Sequence, residues 1–546
     1  MIYPQLTEQE NQTLLSLCRD DGYTIVTQDL RVQTANMSAP NLGAILDVLQ
    51  GCKAMMGRDV NFEEVPQKTI NDWLSKLGGH ALHNEPVEDE SEKRNSVDKQ
   101  LRALCQTAVD EDSSDIHMMV MRDSTLFLLR TNGTRRLIRR FHNGKSAQNQ
   151  PRDMGLALIN YVFSSLGGQD VKITRPANDR FSLTLKVDGQ SRDFEWRAAL
   201  IPLSDGAKLT LRSLTPKNKA LTLEDMDLPT PYLSTLVSMM NKRQGAIVIT
   251  GAMGSGKSSL VYALLEKIDR VARNVHSLED PVEFSQGFVS KTQVQPTVET
   301  VEGSGVMLDY AFYCKETLRH DVDISNIGEI RDHPTAAEFC RKAETGGLAL
   351  ATLHTNSALG VAQTFIQQLN IPSAIVGAPD LMAMFVHVKL VRKLCDCAFK
   401  FDEHESEDVL HAYRQTGEQD KLALKVAQLT QLFDESELKG VRIVNPQGCE
   451  RCQDKSMKGE RGRTMLMELI ALDDTDRQFI INEDDLGWKN HLIKQGYPDI
   501  KAHCKSRILH GQVDILSASE QVDNLVPLPV TDIYQALQGA LWQERR

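Results

Sequence analysis

The second half of the chain alternates between short apolar runs and longer segments whose apolar residues recur at helical spacing. Apolar runs of about four to six residues fit buried strands, and the intervening segments are long enough for helices that cover a sheet. The pattern predicts a mostly parallel α/β sheet that begins near residue 240. Its clearest strands are GAIVIT, NVHSLE and LALATLHT, and its clearest helix is SSLVYALLEKIDRVA.

The preceding part of the chain shows short stretches in which apolar and polar residues alternate. STLFLLRTNG and RFSLTLKVDGQ are typical of strands that end in an Asn-Gly or Asp-Gly turn, a dipeptide that favours a tight hairpin. Helical spacing recurs near residues 98–110 and 153–166. We therefore predict an α+β domain over residues 97–225, followed by the α/β domain over residues 226–546.

A charged segment precedes the α+β domain. Residues 84–96, NEPVEDESEKRNS, are highly polar and include no aromatic residue. Such a segment cannot bury much apolar surface, so it predicts a flexible linker. Residues 1–83 are then expected to form a small separate domain.

Composition narrows the possible functions. Hydrophobic residues make up 41% and charged residues 25% of the 546 positions, which argues against global disorder. The formal net charge of −12 disfavours binding nucleic acid without sequence preference, because such binding needs a basic surface. We find no pattern typical of a secretory signal or of a membrane-spanning helix. We expect a cytoplasmic protein without a direct nucleic-acid partner.

A glycine-rich segment follows GAIVIT and fits the pattern G-x-x-x-x-G-K-[ST]. The glycines allow a tight turn whose N–H groups point at phosphate oxygens, and the N-terminus of the next helix favours anions. In this pattern the lysine reaches the β- and γ-phosphates, and the next hydroxyl binds Mg²⁺. With Ser258 as the Mg²⁺ ligand, the predicted nucleotide site consists of Gly251, Gly254, Ser255, Gly256, Lys257, Ser258 and Ser259.

Two acidic clusters and a histidine follow at the ends of later apolar runs. Hydrolysis needs a carboxylate that positions water and another that holds Mg²⁺ directly or through water. The clusters Leu278–Glu283 and Ile327–Asp332 would lie on the ligand side of a doubly wound sheet. Solvated loop charge is the alternative for either cluster. His354 ends the run LALATL and is either a structural hydrogen-bonding residue or a γ-phosphate sensor.

Four cysteines form two close pairs, Cys395 with Cys397 and Cys449 with Cys452. In a protein without an export signal, paired cysteines indicate metal ligands before disulfides. Four thiolates could hold one tetrahedral Zn²⁺. Four free or partly buried thiols are the alternative.

The order and spacing of four segments resemble the ATPases of type II secretion and type IV pili. The segments are the phosphate loop GAMGSGKSS, the acidic box LEDPVE, the glutamate segment LRHDVDISNIGEIRD and the histidine box TGGLALATLHTN. SDIH at residues 114–117 resembles the start of the family's middle domain, and Arg197 and Arg212 lie in segments similar to the strands that carry its two arginines. The resemblance covers roughly residues 97–470.

The resemblance implies a RecA-like ATPase domain, a PAS-like middle domain and a ring of six subunits that binds ATP between these domains. It also implies an inner-membrane platform protein as partner and a location at the inner face of the bacterial inner membrane. The cysteine module, residues 392–462, and the extra N-terminal domain resemble assembly ATPases more than retraction ATPases. We therefore expect a motor for pilus extension or type II secretion, with the N-terminal domain docking a partner.

The resemblance assigns roles to single residues. Glu329 is similar to the catalytic glutamate, and His354 is similar to a residue near the γ-phosphate. Arg197 and Arg212 are candidate γ-phosphate contacts, with ordinary surface arginines as the alternative. The acidic group around Mg²⁺ and the attacking water is represented by Glu279, Asp280 and Glu283.

The strand before Glu329 departs from the family pattern, because Ser325 and Asn326 interrupt its apolar run. Such a strand is looser unless these side chains find hydrogen-bond partners. Two alternatives to the motor stay open. One is a plasmid conjugation or type IV secretion ATPase, and the other is a nucleotide-gated scaffold that hardly hydrolyses ATP.

Overall fold

The computed structural model describes residues 6–21, 23–36, 39, 41–52, 60–67, 69–70, 73, 90–168, 170–187, 189–215, 221–452, 458–527 and 529–543. The chain divides into two compact units, Met1–Lys217 and Asn218–Arg546. The first unit contains the regions predicted as the N-terminal domain and most of the α+β domain. The second unit contains the predicted α/β domain.

The N-terminal part of the first unit combines helices with a small sheet of order β1–β2–β3. Leu14, Val26, Ile45 and Leu49 are buried in its shared hydrophobic cluster. β1 is antiparallel to β2, and β2 is parallel to β3. The elements are α1 (Glu8–Asp21), β1 (Thr24–Val26), β2 (Val32–Thr34), α2 (Leu42–Gly51) and β3 (Phe62–Glu64).

The segment predicted as a flexible linker is partly helical. Residues 84–89 lie outside the described residues, but α3 runs over Glu90–Asp110 and includes the rest of the segment. The linker prediction was therefore wrong for residues 90–96, and the helix predicted near 98–110 is longer than expected. Composition misled here because charged residues are common both in linkers and on helix surfaces.

The rest of the first unit is an antiparallel sheet of order β6–β5–β4–β10–β9–β8, with β7 beside β5. α3 and α4 (Arg152–Asn160) share one hydrophobic core with it, and a π-helical turn, Tyr161–Leu166, follows α4 as predicted for a helix near 153–166. The strands are β4 (Ser113–Val120), β5 (Ser124–Thr131), β6 (Thr134–Leu137), β7 (Gln150–Pro151), β8 (Ala177–Val187), β9 (Gln190–Leu203) and β10 (Gly206–Ser213).

The alternating sequence explains how this sheet forms. On β5 the side chains of Thr125, Phe127 and Leu129 are buried, and the residues between them are partly exposed. Asn132 and Gly133 join β5 to β6 with φ of 49° and 84°, the conformation that a two-residue hairpin turn favours. The predicted hairpin is therefore confirmed, and one face of β5 packs on the core.

A seven-stranded sheet of order β13–β12–β16–β17–β11–β18–β21 forms the second unit. All neighbours are parallel except β21, which is antiparallel to β18. The strands predicted from GAIVIT, NVHSLE and LALATLHT are confirmed as β11, β12 and β17. The bounds are β11 (Gly245–Thr250), β12 (Val275–Glu279), β13 (Val289–Gln293), β16 (Ile324–Ile327), β17 (Leu348–Leu353), β18 (Met382–Leu394) and β21 (Glu460–Ala471).

Helices and two short strand pairs complete this unit. The strand pairs are β14 (Gln295–Glu299) with β15 (Met307–Leu308), and β19 (Phe399–Lys400) with β20 (Arg442–Ile443). Short helical turns lie at Glu224–Met226, Thr364–Gln368, Phe401–Glu403 and Glu437–Gly440. The α-helices are α5 (Thr230–Met240), α6 (Lys257–Leu265), α7 (Tyr310–Thr317), α8 (His333–Glu344), α9 (Gly360–Gln363), α10 (Ser373–Val376), α11 (Glu407–Gln415), α12 (Gln419–Leu432), α13 (Asp474–Ile481), α14 (Asp485–Lys494), α15 (Ile500–Leu509), α16 (Ile515–Ser519) and α17 (Val530–Gln543).

α6 ends at Leu265 and is shorter than the helix predicted from SSLVYALLEKIDRVA. The reason is local, because the Asp269 carboxylate accepts hydrogen bonds from the N–H groups of Val271 and Ala272 and supports a turn. Within the described parts of the chain, we find no helix with the length and apolar character that a membrane crossing requires.

The polar residues of β16 are accommodated inside the sheet. Ser325 and Asn326 are 5% and 3% exposed, and Asn326 Nδ2 donates a hydrogen bond to Ser277 Oγ on β12 at 2.8 Å. Among the described residues, Ser325 Oγ and Asn326 Oδ1 have no hydrogen-bond partner. β16 keeps a regular parallel register with β12 and β17. The strand is therefore not loosened, and Asn326 contributes a specific contact to its neighbour.

The parallel strands end at one edge of the central sheet. β12, β16, β17 and β11 are successive neighbours and run in the same direction. The segments that follow their carboxyl ends are the acidic box, the glutamate segment, the histidine box and the phosphate loop. The sheet thus gathers all four predicted segments at the edge where doubly wound proteins bind ligands.

Candidate functional site

The phosphate loop joins β11 to α6. Gly251, Gly254 and Gly256 have positive φ of 152°, 75° and 94°, and Gly256 is the N-cap of α6. A Cβ atom at Gly251 would lie 2.4 Å from the carbonyl oxygen of Val388 on β18, so a larger residue does not fit. Ser259, in the first turn of α6, is partly exposed. The loop therefore delivers the chain to a helix N-terminus, where anions are favoured.

The polar side chains of this loop fit an oxygen-rich anion. Lys257 Nζ donates hydrogen bonds to the carbonyl oxygens of Gly251 and Ala252 at 2.8 and 3.1 Å. Ser255 is buried, and its hydroxyl has no hydrogen-bond partner in the described part of the chain. Ser258 is exposed at the start of α6. In this motif the lysine ammonium reaches the β- and γ-phosphates, and the hydroxyl oxygen of the residue after it binds Mg²⁺.

Glu329 lies just past the end of β16 and has a side-chain nitrogen close to each carboxylate oxygen. Arg331 Nη2 is 2.6 Å from Oε2, and His354 Nε2 is 3.2 Å from Oε1. The Glu329 side chain keeps 19% of its surface exposed, so water can reach it. Its remaining lone pairs can accept a further hydrogen bond.

Positive groups around Glu329 control its ionisation. Burial by itself raises the pKa of Glu329, but Arg331, His354 and Lys257 together outweigh burial and lower that pKa. Burial and the Lys257 charge lower the pKa of His354, although Glu329 opposes this shift. At neutral pH the edge of the sheet therefore presents an ionised carboxylate beside a neutral imidazole and a lysine ammonium.

Hydrogen bonds between loops fix this arrangement. Thr250 Oγ1, at the end of β11, accepts from Thr355 N at 2.7 Å. Thr352 Oγ1 donates to the carbonyl oxygen of Gly328 at 2.5 Å, and Gly328 N donates to the carbonyl oxygen of Leu278 at 2.8 Å. The four strand ends are linked in this way, so the histidine box and the glutamate segment keep a defined position relative to the phosphate loop.

Glu279, the first residue of the acidic box, is 5% exposed and is held by other side chains. Its carboxylate is hydrogen-bonded to the Tyr262 hydroxyl and to Ser277 Oγ, the latter at 2.5 Å. Lys291 Nζ lies 3.0 Å from the same carboxylate. These contacts engage both oxygens of Glu279, and its role near Mg²⁺ stays a prediction.

The other two acids of this box are more accessible. Asp280 is partly exposed, and its charge adds to burial in raising the pKa of Tyr310. Glu283 is exposed. Desolvation of its carboxyl and the nearby charge of Glu279 raise the pKa of Glu283. Both stay candidates for binding Mg²⁺ or water.

Arg197 and Arg212 belong to the antiparallel sheet of the first unit. The strand register aligns Arg180, Arg197, Arg212 and Asp115 in one row across β8, β9, β10 and β4, which we call the arginine row. Arg212 Nε and Nη2 each lie 2.8 Å from Asp115 Oδ1. Residues that flank the row pack into the core, so the row lies on the opposite face of the sheet. Its contact with a γ-phosphate stays a prediction.

Sequence reasoning missed several residues of these sites. Arg331 lies in the quoted glutamate segment, and its spacing of two residues from Glu329 was the available signal. Arg180 lies in a predicted strand, but only the register places it beside Arg197. Tyr262 and Lys291 carry no motif, and no pattern in the sequence connects them with Glu279.

The four cysteines of the 392–462 module come together. Their sulfur atoms all lie within 4.8 Å of one another. The sulfur atoms of Cys395 and Cys449, of Cys397 and Cys452, and of Cys449 and Cys452 are each separated by 3.8 Å. A tetrahedron with Zn–S bonds of about 2.3 Å has edges of about 3.8 Å. The set therefore has the dimensions of a Zn²⁺ site, and these separations exceed a disulfide bond of about 2 Å.

Backbone N–H groups surround these sulfur atoms. Cys449 N and Gly459 N donate to Cys452 Sγ at 3.1 and 3.3 Å, and the Arg451 N–H lowers the pKa of Cys449 to about 7. Such donors favour the thiolate that binds metal. Cys395 N donates to the carbonyl oxygen of Gly459 at 2.9 Å. The cluster thus ties the end of β18 to the start of β21.

Several known proteins are similar to this chain in sequence or in fold. The chain is 29% identical over 416 residues to type II secretion system protein E of Aeromonas hydrophila, a match that covers 76% of this chain and 73% of that protein. It is 26% identical over 455 residues to the type IV pilus assembly ATPase PilB of Thermus thermophilus, covering 78% of this chain and 45% of that protein. Its fold is similar to the X-ray structure of the Legionella pneumophila ATPase DotB, with a TM-score of 0.50, 15% identity, and coverage of 80% of this chain and 97% of that chain.

A family model gives the same result from sequence alone. Residues 90–524 match the model described as Type II/IV secretion system protein. The match spans both large sheets, the phosphate loop and the cysteine cluster, and it confirms the predicted family. The likeness to DotB agrees with the predicted α/β fold class. The chain therefore belongs to the type II/IV secretion system protein family.

Proposed function

We propose that this chain is an ATPase whose hydrolysis of ATP drives assembly of a type IV pilus or of a type II secretion pseudopilus. The observation that carries the proposal is the position of Glu329. Its ionised carboxylate lies past a buried strand, accepts a hydrogen bond from Arg331, lies 3.2 Å from His354 Nε2 and is within the electrostatic influence of the phosphate-loop residue Lys257. A nucleotide-binding scaffold needs the loop but does not need this carboxylate.

The geometry suggests how the residues divide the work. Phosphoryl transfer depends mainly on positioning and on offsetting charge. The phosphate-loop N–H groups and Lys257 bind the phosphate oxygens, and Glu329 orients the attacking water by accepting its hydrogen bond. A carboxylate with a lowered pKa is a weak proton acceptor, so orientation is its main contribution. Arg331 holds the carboxylate in place and offsets part of its charge, and the neutral imidazole of His354 lies against the other oxygen.

The residues that would hold Mg²⁺ are Ser258 and the acidic box. The exposed hydroxyl of Ser258 suits direct binding, and Asp280 and Glu283 suit binding through water. When bound, Mg²⁺ offsets the negative charge of the β- and γ-phosphates.

The wider setting follows from the family. Relatives named for type II secretion and for pilus assembly support a secretion or assembly ATPase. We propose that it works as a hexamer at the cytoplasmic face of the inner membrane, bound to an inner-membrane platform protein. The N-terminal domain would dock a second partner. The cysteine module favours assembly over retraction, and zinc at this module would hold β18 and β21 together.

Two alternatives have less support. A plasmid conjugation or type IV secretion ATPase would share the phosphate loop and the fold, but the matched relatives quoted above are secretion protein E and a pilus assembly ATPase. A non-hydrolysing scaffold was suggested by the polar residues of β16. The regular register of that strand removes the main reason for this alternative.

Hydrolysis of ATP by the purified full-length chain with Mg²⁺ tests the proposal. We expect turnover by a ring-sized species, measured together with its mass in solution, and a loss of about 10²- to 10⁴-fold in kcat for Glu329→Gln with ATP binding retained. Glu316→Gln, on an exposed helical turn, is the matched control. A hexamer that binds ATP but does not hydrolyse it, even with its membrane partner, would contradict the motor.

A further inference from the structure

Glu279 is the centre of a buried polar group, the Glu279 cluster, which consists of Tyr262, Ser277, Glu279, Lys291 and Asn326. The Tyr262 hydroxyl and Ser277 Oγ donate to the Glu279 carboxylate, and Lys291 Nζ lies 3.0 Å from it. Asn326 Nδ2 donates to Ser277 Oγ at 2.8 Å. Lys291 Nζ also lies 4.0 Å from the centre of the Tyr262 ring.

The members of this cluster depend on one another. Tyr262, Glu279, Ser277 and Asn326 are at most 5% exposed, and the Lys291 side chain is 8% exposed. A buried carboxylate is tolerated only where a cation and hydrogen-bond donors compensate for lost hydration. Removing or moving one partner therefore disturbs the others.

The cluster joins three elements of the active site. Tyr262 lies on α6, the helix that begins at the phosphate loop. Ser277 and Glu279 end β12, which leads into the acidic box. Asn326 lies on β16, three residues before Glu329. A continuous path of hydrogen bonds thus runs from the phosphate-loop helix to the strand that positions the glutamate proposed to orient water.

We propose that the Glu279 cluster transmits nucleotide binding at the phosphate loop to Glu329, with Tyr262, Lys291 and Asn326 as positioning residues. Glu279 then acts through its neighbours in the protein and not as a ligand of Mg²⁺. The proposal rests on the proposed ATPase function and adds to it. It also gives a role to Asn326, one of the two polar residues that interrupt the apolar run of β16, because Asn326 is the contact through which this strand joins the path.

Tyr262→Phe tests the link, because it removes the hydroxyl and keeps the ring under Lys291. We expect kcat to fall about tenfold, the effect of losing a hydrogen bond to a charged group, with little change in KM. Hydrogen exchange provides a second readout. In the wild type, addition of Mg²⁺ and ATP should slow amide exchange both in α6 and at residues 324–330. In Tyr262→Phe, the same addition should slow exchange in α6 only.

Two further variants make the test decisive. Tyr313→Phe removes the hydroxyl of a tyrosine on α7 outside the cluster and should behave as wild type. Lys291→Met should reproduce the Tyr262→Phe result, and it replaces that variant if Tyr262→Phe does not fold. Unchanged kcat and unchanged protection at residues 324–330 in both variants would overturn the link while leaving the ATPase function intact. Absence of hydrolysis by the wild type would instead contradict the function, and the exchange data would still decide the link.

Discussion

The two large sheets present polar residues in different ways. The parallel sheet of the second unit uses loops that follow its strands, so residues far apart in sequence meet at one edge. The antiparallel sheet of the first unit uses one side chain from each of several strands, and these align as a row across its face. Backbone direction creates the first arrangement, whereas strand register creates the second.

This difference has a consequence for robustness. A loop at a strand end can change its length beyond the hydrogen bonds that link it to the neighbouring loops, because loops tolerate insertions better than strands do. The arginine row has no such freedom, since a slip of one residue in β9 would turn Arg197 toward the core. Asp115 reinforces the register by holding Arg212 across the gap between β4 and β10.

The largest expected effect comes from breaking the arginine row. If Arg197 or Arg212 offsets charge on the transferring phosphoryl group, its replacement by alanine should lower kcat about 10³-fold. Steady-state ATPase assays of the assembled protein would measure this. Arg192→Ala, on the same strand but with its side chain over the Phe194 ring, is the control. Losses no greater than that of the control would make both row residues ordinary surface arginines.

A smaller effect is expected from breaking the cysteine cluster, which lies where β18 of the parallel sheet pairs with the antiparallel strand β21. Cys449→Ser should remove zinc and lower the free energy of unfolding by about 3 kcal/mol, because a structural metal contributes its binding energy only to the folded state. Metal analysis and thermal unfolding would measure the two effects. Cys314→Ala, a buried cysteine outside the cluster, should keep the metal. If metal analysis finds no zinc in the wild-type protein, the four cysteines are free thiols and the proposed metal site is contradicted.

The smallest expected effect is a loss of stability at acidic pH, and it involves one buried histidine in each sheet. Burial lowers the pKa of His117 on β4 and of His387 on β18 to about 4, below the value of about 6.5 in an unfolded chain. The unfolded state therefore binds the proton first, so stability is complete above pH 6.5 and declines as the pH falls toward 4. At pH 4.5 each histidine should lower the free energy of unfolding by about 2.5 kcal/mol.

Calorimetry of the full chain between pH 7 and 4.5 would measure this decline. His387→Leu should weaken the pH dependence of the transition that belongs to the second unit, because leucine does not titrate. His117→Gln should do the same for the first unit. An unchanged slope in either variant would show that the histidine is not the group responsible.

The parallel sheet was the more predictable of the two. Its strands are short apolar runs, and its phosphate loop carries glycines at positions where φ is positive, so local sequence dictates local structure. The position of Glu329 followed because a carboxylate after a buried strand lies at the ligand edge. Arg331 could have been included on the same argument.

Long-range pairing limited the remaining predictions. Arg180 joins the arginine row only through register, which no single segment encodes. The contact of Glu279 with Lys291 could not be predicted, because it depends on β13 lying next to β12. The helix from Glu90 was missed because its charged start has the composition of a linker. Each case depends on tertiary context that overrides a local pattern.

Glu468 sets a limit on how far the chain can be shortened. Its carboxylate, 3% exposed on β21, accepts hydrogen bonds from Ala358 N beside the histidine box at 2.5 Å and from Ile500 N at the start of α15 at 3.0 Å. A fragment that ends after β18 would contain every residue of the phosphate loop, the acidic box and the histidine box, yet it would leave a buried N–H without its acceptor. A fragment that keeps the histidine box in this arrangement therefore has to include β21, and α15 adds a second hydrogen bond to the same carboxylate.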